Sequence, residues 1–250
     1  MAEASFNPTE QFEVKDIFAL PHISGYNVNF TNASLSMGIA VLLVCLFMGL
    51  GTRQRALVPG RFQSTVEMVY QFMADTVQSN TGDEGKKYFP LIFSLFIFIM
   101  FCNLLGNVPY AFTVTSHIIV TFAFAAFVFV GITCIGFYKH GLHFFSFFLP
   151  KGLPGGIFGF VLSLLMIVIE LFSYLARPIS LSLRLAANMT AGHILMKIMA
   201  SFVAMIGIFG IFPFSFLFIF TGFEIFVACL QAYIFALLCS LYLNDALNLH

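Results

Sequence analysis

Polar positions in this chain are confined to its first 32 residues, to a few short connections, and to isolated sites inside long apolar runs. The run at about 33–51 is long enough to cross a hydrocarbon layer of about 30 Å at 1.5 Å per residue. A different pattern follows, in which Phe62, Val66, Val69, Met73 and Val77 recur at helical spacing while Gln63, Glu67, Gln71 and Asp75 fall elsewhere around the helix. That pattern predicts an amphipathic helix over about 62–79, lying on a membrane surface. Two further spanning runs are expected at about 88–106 and 116–138, separated by the break LGNVPYAF. The last two apolar segments, about 157–204 and 214–246 and parted by GIFGIFPF, would measure roughly 70 Å and 50 Å as continuous helices. Both exceed a bilayer, so they must tilt, kink or project into water. Pro178 is the natural place for a bend in the first of them.

The predicted class is therefore an all-α polytopic membrane protein with about five crossings, a surface amphipathic helix and a final pair of long, tilted, antiparallel helices. Residues 1–32 form a polar N-terminal segment and 33–250 a single membrane domain. Composition supports this reading, because 60% of residues are hydrophobic, 35 are Phe and only 9% are charged. A soluble domain carries about 25% charged residues, enough to cover its surface; this chain cannot. A net charge of zero argues against nucleic acid as a partner. The acidic, polar start MAEASFNPTEQFEVKDIF does not have the form of a cleaved signal. Cys45, Cys102, Cys134, Cys229 and Cys239 all lie in apolar runs without a CxxC pair, so they read as small buried hydrophobes. No metal or cofactor is expected.

Arg53, Arg55, Arg61, Lys86 and Lys87 fall between the first two spans, and Lys139 and Lys151 after the third, whereas only Lys15 precedes the first. The positive-inside rule places those loops and the C-terminus on the cytoplasmic or matrix side, with the N-terminus outside.

Charges inside the spans carry the candidate chemistry. Arg184 stands in the middle of a spanning segment, where an arginine costs at least ~2.5–3.5 kcal/mol. Glu170, Arg177 and Arg184 are spaced by seven and form a stripe that drifts only ~20° per step. Ser180, Ala187, Asn188 and Ala191 share the Arg184 face, and small side chains there admit a second helix at close range. His193, nine residues past Arg184, points to the opposite face. Glu224 and Gln231 share a face of the last helix, so His193 can meet Glu224 across an antiparallel hairpin turning at about 205–213. Each of these residues has a plainer reading, as an internal ion pair, a packed histidine or a core amide. His140 and His143 read as solvated loop residues. As a set on two adjacent helices, however, intramembrane ionisable groups mark an ion pathway.

The runs PISLSLRLAANMTAGHIL and LQAYIFALLCSLYL resemble subunit a of the F-type ATP synthases, and NLLGNVPY and PHISG extend the likeness over nearly the whole chain. The resemblance implies a stationary, non-catalytic membrane subunit with no active site of its own, which conducts protons to a rotating c-ring. It implies that Arg184 is the essential arginine facing the ring, with Asn188 and Gln231 as its polar companions. The acid and the histidine that many bacterial members carry are exchanged here into His193 and Glu224, as in mitochondrial-type members. Physical chemistry agrees with that role. A ring carboxylate must be protonated to cross lipid, and a permanently charged arginine makes it release the proton. An outer path is expected through Asn188, His193, Glu224 and Gln231, and an inner path at Glu170, with Arg177 lining it or anchoring the helix. Implied partners are the c-ring, b-type peripheral-stalk subunits, lipid and protons, in a bacterial plasma membrane or a mitochondrial inner membrane. The alternative is a secondary transporter using Arg184 to bind an anionic substrate, which predicts repeated halves with broken helices.

Overall fold

The computed structural model describes residues 13–18, 29–53, 59–108, 111–141, 157–206 and 210–248. A two-stranded antiparallel hairpin, β1 (Asp16–Phe18) and β2 (Phe30–Thr31), pairs Asp16 with Thr31 and Phe18 with Phe30. It leads directly into α1 (Asn32–Arg53), which is followed by α2 (Arg61–Thr81), α3 (Phe89–Gly106) and α4 (Ile118–His140). Two long helices close the fold, α5 (Ile157–Ile206) and α6 (Ile211–Leu247). Five helices are long and apolar enough to cross a membrane, and many of their large side chains point outward, as a lipid solvent requires.

The core forms where α3 and α6 pack face to face, with α1, α2, α4 and the middle of α5 around them. Phe93, Phe96, Ile97, Phe235, Ala236, Cys239 and Leu243 are among its buried residues. Small residues on α6 (Ala228, Ala232 and Ala236, each fully buried) let neighbouring backbones approach. The amphipathic segment buries Met73 and Val77 in this core and Val66 against Gly51 of α1, and its Asn80 donates to Ser240 Oγ at 3.3 Å.

The basic end of the bundle holds the close of α1, the start of α2 and the turn before α3. The Lys139–Glu84 ion pair ties the close of α4 to that turn, and Lys86 pairs with Asp83 at 2.7 Å. Arg55, His143 and Lys151, together with the PHISG motif, lie outside the described residues.

The structure departs from expectation at several points. α6 begins at Ile211 rather than near 214, because Pro213 lies in the first turn, where a missing N–H costs nothing. Pro178 sits inside α5, which runs as one helix through it. Cys102 and Cys239 are buried, but Cys45 and Cys134 are exposed on apolar helix surfaces, since a membrane protein turns many hydrophobes outward. His140 is not merely solvated: its Nε2 lies 3.1 Å from the Leu247 carbonyl and fastens α4 to the end of α6.

Candidate functional site

The middle of α5 presents two unlike faces. Pro178, Leu181, Ser182, Leu185, Ala186, Met189 and His193 are buried against the bundle at the three-and-four spacing of a packed stripe. Ser180, Leu183, Arg184, Ala187 and Ala191 are exposed on the outward side, with Asn188 half-buried at the edge. Among the described residues Arg184 has neither an ion-pair nor a hydrogen-bond partner, and the same holds for the half-buried Glu170.

His193 and Glu224 come together because they stand at nearly equal distances from the turn between α5 and α6. His193 Nε2 lies 4.0 Å from Glu224 Oε1, with both side chains buried. Gly192 makes room for the carboxylate, since a Cβ there would sit 2.5 Å from Glu224 Oε1. Thr113, in the connection between α3 and α4, places its Oγ1 3.1 Å from His193 Nε2. The same hydroxyl donates to the Gly106 carbonyl at 3.3 Å, which leaves an oxygen lone pair for an Nε2–H. Gly106 packs directly on Thr113; a Cβ at 106 would be 2.7 Å from Thr113 Cγ2.

Other polar groups gather around this pair. Asn103, fully buried, donates to the Ala228 carbonyl at 3.1 Å. Thr190 donates to the Ser116 carbonyl at 3.3 Å. Both Glu224 carboxylate oxygens, Gln231 Nε2, the Asn107 side chain, Asn103 Oδ1 and Thr115 Oγ1 are buried without a hydrogen-bond partner among the described residues. Interiors rarely tolerate so many unpaired polar atoms unless water reaches them. A cleft of about 930 Å³ brings Asn107 and His193 into one space with Lys197 and, from the hairpin, Glu13 and Lys15.

Arg177 occupies a third environment. It pairs with Asp245 at 3.0 Å and lies over the rings of Tyr242 and Tyr174, 4.8 and 5.4 Å from their centroids. Tyr174 in turn shares a 2.6 Å hydrogen bond with Thr133 of α4. Sequence reasoning placed Arg177 with Glu170 and Arg184 and missed Asp245. Counting from the α5–α6 turn, the argument that matched His193 with Glu224, would have brought Asp245 within reach. Thr113, Asn103 and Asn107 were missed because they lie at or beyond the end of α3, where helical periodicity gives no guide.

The structure thus brings His193, Glu224, Thr113 and Asn107 together at the buried side of α5, and leaves Arg184 exposed on the other. Among the described residues no three His, Cys, Asp or Glu side chains cluster as a metal site. An exposed fixed cation, a buried acid–base pair and a polar cleft leading to it can pass protons without making or breaking covalent bonds elsewhere.

Comparison with known proteins gives the same direction. The family model described as ATP synthase A chain matches residues 34–244. The ATP synthase subunit a of Ehrlichia chaffeensis (strain Arkansas) is 51% identical over 247 residues, covering 98% of this chain and all of the relative. Those of Ehrlichia canis (strain Jake) and of the Wolbachia of Drosophila simulans (strain wRi) are each 50% identical, over 98% of this chain and their own full lengths. With its fold, its outward arginine and a match over nearly its whole length, the chain belongs to the ATP synthase A chain family.

Proposed function

We propose that this chain, by family the proton-translocating stator subunit of a rotary ATP synthase, offers two offset access paths to ring carboxylates that pass its Arg184 face. The observation that carries the proposal is the contrast around α5: Arg184 exposed on one side with no ion-pair or hydrogen-bond partner among the described residues, and on the other His193, buried beside Glu224 and lining a cleft. An intramembrane arginine without a counter-charge among the described residues calls for one from outside, and a ring carboxylate supplies it. The small residues Ser180, Ala187 and Ala191 let a ring helix approach the backbone.

The outer path runs through the cleft to His193 and Glu224, with Gln231 and Asn188 between that pair and the ring. A histidine exchanges protons near neutral pH, and a carboxylate within 4.0 Å can hand one on or receive it. The inner path opens at the basic end past Glu170, where Arg177 fastens α5 to α6 through Asp245 and Tyr242 rather than conducting. Separation of the two paths by the Arg184 level prevents a short circuit, since Arg stays charged at all working pH values.

The basic end faces the cytoplasm by the positive-inside rule, which leaves the hairpin and the cleft outside. Bacterial relatives favour a bacterial plasma membrane, with the c-ring and a b-type stalk as partners. The unbroken course of α5 through Arg184 supplies none of the half-helix termini on which a secondary transporter would bind an anion.

The exchange His193→Glu with Glu224→His, compared with each single exchange, tests the outer path in the assembled complex. The double variant should retain more ATP synthesis than the product of the single losses. Strictly multiplicative losses would show two independent residues and end the shared-site reading.

A further inference from the structure

The N-terminal hairpin does not extend away from the bundle. Asn32, the first residue of α1, holds it with three hydrogen bonds: its N–H donates to the Lys15 carbonyl at 3.1 Å, its Nδ2 donates to the Glu13 carbonyl at 3.0 Å, and its Oδ1 accepts from Lys15 N at 3.2 Å. Asn29 donates to Asp16 Oδ2 at 2.8 Å and braces the two strands. The clamp fixes Glu13 and Lys15 at the cleft of about 930 Å³ whose far wall includes His193. Glu13 and Lys15 are two residues apart, so extended backbone turns both side chains to one face.

We infer that the hairpin is a working part of the outer access path, with Glu13 as a proton-collecting carboxylate at its mouth. This inference rests on the reading of the cleft as that path. Among the described residues Glu13 is the one carboxylate of the cleft lining; the charged or titratable groups it shares the cleft with there are Lys15 beside it and His193 and Lys197 on α5. Between mouth and histidine, Asn107 is the buried amide with unpaired atoms, and Phe112, Met196 and Leu217 supply apolar walls.

A collector has a physical purpose here. At pH about 8, a diffusion limit of ~10¹⁰ M⁻¹s⁻¹ acting on ~10⁻⁸ M protons delivers only about 100 protons per second to a single site. Protonated buffer molecules are far more abundant than free protons outside, and they can reach the exposed Glu13 but not the buried His193; the carboxylate gains a proton from them and loses the same proton inward through cleft water, with no bond made elsewhere.

The whole complex, reconstituted in vesicles at constant membrane potential, is assayed for ATP synthesis as the outer pH is raised from about 5.5 to about 8.5. Glu13→Gln should match the unaltered protein at the acid end and fall about three- to tenfold below it at the alkaline end, where capture limits the rate. Asn32→Ala, which frees the hairpin, should show the same pH-dependent loss, and Glu13→Asp should largely restore the rate. If Glu13→Gln follows the unaltered protein at every pH while His193→Ala is slow, the collector is overturned and the outer path stands. An equal proportional loss at every pH shows a structural role and also overturns it. If His193→Ala is unimpaired as well, the outer path itself lies elsewhere and both readings fall.

Discussion

Arg184 and His193 lie nine residues apart on one helix and meet opposite treatment. His193 is buried, touches Thr113 at 3.1 Å, and has Glu224 Oε1 at 4.0 Å. Arg184 is exposed among small residues, and the chain gives it no ion-pair partner among its described residues. Arg177, seven residues before Arg184, shows what this fold does with an arginine it means to hold: an acid at 3.0 Å and two aromatic rings. The contrast teaches that exposure of Arg184 is a specific property of its position and not a general weakness of the scaffold. The fold keeps the His193–Glu224 pair inside and offers the permanent charge of Arg184 outward.

The strongest way to break the comparison is to remove the outward charge. Arg184→Ala should abolish coupled pumping, by about 100-fold or more, while the complex still assembles, because no internal partner is orphaned. ATP-driven acidification of vesicles measures it. Arg184→Lys should fail too, since lysine loses its proton more readily and lacks the planar fork.

On the inward face, Gly192→Ala should displace the Glu224 carboxylate, because the new Cβ would stand 2.5 Å from Oε1. The clash falls on the end of a flexible side chain, which can swing aside, so thermal stability of the complex should change little while proton-driven ATP synthesis falls. Thr113→Val keeps the shape and removes only the hydroxyl beside His193. The expected loss is about 0.5–1.5 kcal/mol, a few-fold in rate, seen most clearly in the outer-pH profile.

The smallest effect belongs to the exposed basic end. The hydrogen bond and charge of Lys86 hold the Asp83 carboxyl below its ordinary value of 3.8. A depressed acid contributes stability above that ordinary value and loses it as pH falls through the lowered one. Full exposure screens the pair, so Asp83→Asn should leave the melting temperature at neutral pH unchanged, and any difference should vanish further in salt.

Much of this division can be read from the sequence, for physical reasons. A long helix has one period, so the placement of Arg184 and His193 on opposite faces follows from nine residues of separation. An antiparallel hairpin has one turn, so residues equidistant from it reach one level, and His193 finds Glu224. The seven-residue stripe was a weaker guide: it grouped Arg177 with Arg184, but a long side chain at the helix edge swings to the nearest acid, and Asp245 on α6 captures it. Thr113, Asn103 and Asn107 answer to the path of the α3–α4 connection, which no periodicity encodes. The hairpin clamp at Asn32 depends likewise on contacts between residues 13–15 and 32 that only the folded chain brings together.

Crosslinking from the two faces of α5 tests the central claim most directly. In the assembled complex, cysteines placed one at a time at Ala187, Ala191 and His193 are paired with a cysteine beside the ring carboxylate. Ala187→Cys and Ala191→Cys should form disulfides with the ring under mild oxidation, and His193→Cys should not. Crosslinking from position 193 alone would show that α5 turns its other face to the ring, and the outward role of Arg184 would be contradicted.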